Sequence, residues 1–98
     1  MDFEMISGND LDRCLRDGTA FVIDLRTPQE YAKRHIPGAV NIPYERLKSV
    51  RGLPRDVPLI LYCERGSVSM VAARELAARG YIAKTLIGGI HSWHNRLG

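Results

Sequence analysis

Four apolar or aromatic residues, Leu59 to Tyr62, run straight into Cys63, and the chain then turns polar with Glu64, Arg65, Gly66, Ser67, Val68 and Ser69. A cysteine that only packs would sit inside the apolar run; this one stands at its edge. The pattern places a thiol at the carboxyl end of a strand, a few residues before a helix. Backbone N–H groups of residues 64 to 69 can curl around the sulfur there, with Gly66 taking a torsion that other residues resist. The amino end of the following helix adds partial positive charge, and Arg65 adds a full one. Ser67 and Ser69 can donate hydrogen bonds to the sulfur or to an anion beside it. Each feature favours thiolate over thiol, and the thiolate is the nucleophile. The plainer alternative is an inert strand-end cysteine.

Spacing separates this site from other chemistries. A cysteine-dependent phosphatase needs Cys-x5-Arg, so that a guanidinium can grip the phosphoryl group in two places. Here Ser69 stands six residues after Cys63, and Arg65 comes too early. The G-x-S-x-G elbow of a serine hydrolase is missing, as is the G-x-G-x-x-G of a dinucleotide site; Gly88 and Gly89 alone do not make one. His91 and His94 have H-x-x-H spacing but no third ligand in view, so we expect no metal. Cys14 shares a helical face with Leu11 and Leu15 and reads as a small buried hydrophobe.

The elements that must position Cys63 alternate short apolar runs with helical stretches, the signature of an α/β domain with a mostly parallel sheet. "FEMI" reads as an edge strand. Ser7 and Asp10 give the spacing of a helix start, and that helix runs from about Asn9 to Asp17 and stops at Gly18. "AFVID" reads as a buried central strand ending in a carboxylate. In "TPQEYAKRH", Thr27 caps a helix, Pro28 takes its first position and Glu30 closes a capping box; the proline of "IPGA" ends it. "AVNI" is a short strand and "YERLKSV" a brief helix before a loop punctuated by Gly52, Pro54 and Pro58. "LILY" is the fourth strand. Val68, Val71, Ala72 and Leu76 fall at helical spacing, which predicts the longest helix over Ser67 to Arg79, with Gly80 just beyond it. "AKTLI" is the fifth strand, and "GGIHSWHNRL" closes the chain as a short helix with Trp93 packed on the body.

Composition bounds the rest. The chain of 98 residues is 45% hydrophobic and 26% charged, which suits one small globular domain over residues 1–98 and argues against disorder. No apolar run approaches the roughly 20 residues of a membrane-spanning helix, and "MDFEMISGND" lacks the pattern of a secretory signal. We therefore expect a cytoplasmic protein that engages no membrane; the opening methionine and compact ending suit a complete small protein. Net charge is +3, with a loose basic group at Arg46, Lys48, Arg51 and Arg55. No aromatic residues interleave with that group, so we expect a solvated face and no nucleic-acid partner.

Four segments in register make the chain resemble a single-domain rhodanese over nearly its whole length. They are "VIDLRTPQEYAKRHIPGAVNIP", "LILYCERGSVS", "AARELAARGY" and "LIGGIHSWHN". The resemblance implies a rhodanese-like fold, a mostly parallel five-stranded sheet with helices on both faces. It also implies a sulfurtransferase that needs no cofactor or metal. Cys63 would take sulfane sulfur from thiosulfate or a thiol persulfide, hold it as a cysteine persulfide, and pass it to cyanide or a thiol. The alternatives are a carrier that relays the persulfide between proteins, and a rhodanese-fold module whose thiol is incidental or redox-sensing. Many relatives resemble C-R-x-G-x-R-S in the loop, whereas Glu64 and Val68 occupy the arginine places here. That weakens the expected preference for a dianion such as thiosulfate and favours a thiol persulfide. Asp24 and Arg26 lie at the same sheet edge as Cys63, either as an ion pair bracing the loop or in contact with substrate. His35, before "IPGA", is expected to hydrogen-bond backbone and not to catalyse.

Overall fold

The computed structural model describes residues 2–94; the expected continuation of the last helix over residues 95–97 lies outside them, as does the side chain of His94. Five strands, β1 (Glu4–Ile6), β2 (Phe21–Asp24), β3 (Val40–Asn41), β4 (Leu59–Tyr62) and β5 (Ala83–Leu86), form one sheet in the order β1-β5-β4-β2-β3. Every pairing is parallel. The helices are α1 (Gly8–Asp17), α2 (Pro28–Lys33), α3 (Ser67–Ala78) and α4 (Gly89–His94), with a 3-10 helix at Tyr44–Ser49.

Right-handed crossovers decide which face each helix covers. The chain steps one way across the sheet from β1 to β2 to β3, then reverses from β3 to β4 to β5. The reversal sends α1 and α2 to one face and the 3-10 helix and α3 to the other, and two cores follow. Leu11, Val22, Ile36, Ile60, Tyr62, Leu86, Ile90 and Trp93 fill the first. Ile23, Leu47, Leu59, Leu61, Cys63, Ala72, Ala73, Leu76 and Ala77 fill the second. Strand alternation divides β4 between them, Leu59 and Leu61 on one side, Ile60 and Tyr62 on the other. Cys14 is half-buried at the margin of the first core.

The helix starts follow their caps. Ser7 and Thr27 each accept from the backbone N–H three residues on, while Asp10 and Glu30 return the bond, completing both capping boxes. Two details depart from the spacing. The helix beginning at Pro28 stops at Lys33, four residues short of Pro37, because Arg34 turns to extended backbone and its carbonyl accepts from the Arg26 guanidinium. In α3 the buried side is Ser69, Ala72, Ala73, Leu76 and Ala77, while Val68 and Val71 are exposed. Small side chains bring that helix close to the sheet, and the valines that dominate its hydrophobic pattern face outward.

Candidate active site

The chain reverses its direction across the sheet between β2 and β4, which are neighbours. At their carboxyl ends one connection leaves toward each face, and the crevice between them is where ligands enter open parallel sheets. Cys63 sits in that crevice.

Strand parity carries Cys63 to the α3 face, where it is 6% exposed. The N–H groups of Gly66 and Ser69 donate to its Sγ at 3.1 and 3.4 Å. Gly66 makes this possible with φ +112°, a left-handed torsion that turns its N–H inward before α3 begins. The Ser69 hydroxyl donates to the Gly66 carbonyl at 3.1 Å, so it locks the turn, and its backbone supplies the bond to sulfur. Ser67 and Arg65 are exposed. Dipoles fixed in this way stabilise negative charge on sulfur without reorganising when it forms.

The closing segment buttresses the same loop. The N–H of Ile90 donates to the Cys63 carbonyl at 3.0 Å. Gly89 lies so close that an added Cβ would stand 2.5 Å from the carbonyl oxygens of Cys63 and Glu64. The glycine pair at 88 and 89 is thus a place of close backbone approach.

Asp24 and Arg26 form a buried ion pair, with Arg26 Nη2 2.9 Å from Asp24 Oδ2 and 3.2 Å between Nε and Oδ1. The Tyr62 hydroxyl donates to Asp24 at 2.7 Å and accepts from the N–H of Ile36 at 3.1 Å. Burial, followed by the hydrogen bond to Asp24, pushes the Tyr62 phenol well above its usual pKa, so it keeps its proton. Burial opposes the charge on Arg26, yet the hydrogen bonds and charge of Asp24 outweigh it and hold the guanidinium's pKa above the ordinary value. Asn41 Nδ2 bonds the carbonyls of Asp24 and Arg26 at 3.1 and 3.0 Å and ties β3 to this loop.

Glu64 is the charged group at the mouth, and its partners are not the adjacent Arg65. Its carboxylate lies 2.7 Å from His91 Nε2 and 3.6 Å from Arg26 Nη1. Above Cys63 opens a cavity of about 310 Å³, whose walls include Leu25, Pro43, Tyr44 and Val68 and whose charged groups are Arg26, Glu30, Glu45 and Glu64. That volume is at the lower end for small-molecule sites.

The crevice therefore gathers Cys63, Glu64, Val68 and Arg26, with Gly66 and Ser69 acting through their backbone and Asp24 behind Arg26. Ser67 and Arg65 are exposed and are not among the residues lining the cavity. His35 is apart from the cavity: its Nδ1 donates to the Tyr31 carbonyl at 2.8 Å and its ring stacks on Tyr31. Sequence reasoning missed Tyr44, Glu45 and the link from His91 to Glu64. The first two lie shortly beyond the carboxyl end of β3, after Ile42 and Pro43, and the same carboxyl-edge rule that singled out Cys63 would have found them. Among the described residues, no group of three or more His, Cys, Asp or Glu side chains could hold a metal ion. No described helix is long and apolar enough to cross a membrane.

Comparison with known proteins agrees with this fold. Residues 7–96 match the family described as rhodanese-like domain. The chain belongs to the rhodanese-like family. A tRNA sulfurtransferase of Desulfurococcus amylolyticus is 38% identical over 73 residues, 74% of this chain and 14% of that protein. The reduced CoADR-RHD protein of Bacillus anthracis superposes with a TM-score of 0.90 at 30% identity, over 97% of this rhodanese-like chain and 17% of that one. The human single-domain sulfurtransferase TSTD1 superposes at 0.85 with 26% identity, over 94% of this chain and 96% of that one. This rhodanese-like chain thus spans a small part of the first two relatives and nearly all of the third. The first and the third of these relatives are named sulfurtransferases.

Proposed function

We propose that this rhodanese-like chain transfers sulfane sulfur through a persulfide on Cys63. The carrying observation is that two backbone N–H groups converge on Sγ at the floor of an open cavity. In the first half-reaction the Cys63 thiolate attacks the outer sulfur of a thiol persulfide or of thiosulfate. The S–S bond of the donor breaks, thiolate or sulfite leaves with the electron pair, and Cys63 becomes a persulfide anion. In the second, cyanide or a thiolate attacks the outer sulfur, takes it as thiocyanate or persulfide, and returns the Cys63 thiolate. No net oxidant is needed. The N–H groups of Ser67 and Val68 open α3 and have no carbonyl one turn earlier to bond, so they are donors available to the outer sulfur.

Mass spectrometry of the intact reduced protein tests this. After incubation with thiosulfate or glutathione persulfide, we expect a gain of one sulfur atom that cyanide removes and that Cys63→Ser abolishes. No gain from either donor overturns the small-molecule reading and directs attention to a protein donor.

A further inference from the structure

Arg26 presents its guanidinium in two directions. Nε and Nη2 are taken inward by Asp24 and by the Arg34 carbonyl, while Nη1 faces the mouth of the cavity. His91, at the start of α4, reaches toward the same place from the other side. Between them lies a second, smaller space of about 130 Å³, lined by Arg26, Arg34, Glu64, Ile90 and His91. Apart from Glu64, its ionisable side chains are basic. Glu64 and Arg26 also line the Cys63 cavity, so the two spaces adjoin and the Glu64 side chain stands between them.

Such an arrangement is an anion site that already holds an anion. We propose that Glu64 fills, with its own carboxylate, an anion subsite made by Arg26 Nη1 and His91 Nε2, and that this selects against dianionic sulfur donors. The proposal rests on the sulfurtransferase reading and adds the specificity element to it. A thiosulfate whose outer sulfur approaches Cys63 must place its sulfonate near this mouth. There it meets the Glu64 carboxylate before it meets Arg26 or His91, and it binds well only by displacing a side chain tethered to the same loop. A persulfide on an uncharged carbon skeleton has no group that competes for those two side chains, so Glu64 hinders it little. The basic pair is thus spent on an internal partner, and the donor class shifts from oxyanions of sulfur to organic persulfides.

Binding can be separated from turnover to test this. In a Cys63→Ser background, which cannot take up sulfur, thiosulfate is titrated calorimetrically at constant ionic strength into the parent, Glu64→Ala, Glu64→Gln and Glu64→Ala/His91→Ala proteins, each checked for folding by circular dichroism. Freeing Arg26 Nη1 and His91 Nε2 to bond the dianion is expected to tighten thiosulfate binding about tenfold in Glu64→Ala. Glu64→Gln gives the charge effect if Glu64→Ala does not fold. Adding His91→Ala should return most of the gain. Unchanged affinity in both Glu64 variants overturns the proposal. A gain that survives His91→Ala also overturns it, because it reflects repulsion without a subsite. In proteins retaining Cys63, the KM for thiosulfate should fall about tenfold in Glu64→Ala, while that for 2-mercaptoethanol persulfide moves less than twofold. If Cys63 takes sulfur from no donor, the sulfurtransferase reading fails, and the titration in the serine background still decides the subsite.

Discussion

At the scale of residues, two glycines hold the Cys63 loop for different reasons. Gly66 needs its torsion: an added Cβ would come no closer than 3.7 Å to Gly88 N, so alanine there suffers from φ +112° and not from crowding. Gly89 needs its space, since the same Cβ would overlap two carbonyl oxygens. We expect Gly66→Ala to destabilise by about 1–3 kcal/mol and Gly89→Ala by at least as much, with the second also displacing Cys63. Urea midpoints rank the two, and the rate of persulfide formation reports the displacement. Behind the loop, Tyr62→Phe removes the hydroxyl that joins Asp24 to the Ile36 N–H and leaves both buried groups short of a partner. Its expected cost is about 1–3 kcal/mol, read from the same urea curves.

Elements take their ends from local chemistry. Both capping-box carboxylates, Asp10 and Glu30, are held below the usual carboxylate pKa, first by the backbone hydrogen bond at Ser7 or Thr27 and then by the side-chain bond to the same residue. A pKa lowered by folding means stability that is complete above the unfolded value and lost as pH falls through the folded one. The thermal midpoint should therefore fall between about pH 5 and pH 3, and Thr27→Ala should flatten that slope while costing about 1 kcal/mol at neutral pH. Calorimetry across that range checks both. These caps were legible from the sequence, because a capping box is a relation between residues three apart. The buried face of α3 was not. Val68 and Val71 carry the stronger hydrophobic signal, but how closely the helix lies on the sheet decided the matter in favour of its alanines. A leucine at Ala73, which is fully buried, should cost about 1–3 kcal/mol by overpacking, whereas Val71→Ser should change stability by less than about 0.5 kcal/mol.

For the whole molecule, sheet order governs both stability and site. Strand β4 is flanked by β2 and β5 and buried on both faces, while β3 pairs through two residues at the edge. Native-state hydrogen exchange should show the slowest amides in Leu59–Tyr62, approaching global unfolding, and much faster exchange at Val40 and Asn41. Protection at β3 equal to that of β4 would contradict this picture.

The sequence by itself determined the strands, the two capped helices, the small α/β domain and the cysteine at a strand's carboxyl end, since each depends on neighbours a few positions apart. It also carried the family, through four segments in register. Tertiary structure alone decided what surrounds that cysteine. Asp24 meets Tyr62 across 38 positions, the Gly89 backbone packs against the Cys63 carbonyl, and Glu64 turns from the adjacent Arg65 to Arg26 and His91. Those partners are set by strand order and the direction of each crossover, which bring distant segments to one sheet edge. Charge and spacing along the chain do not encode them.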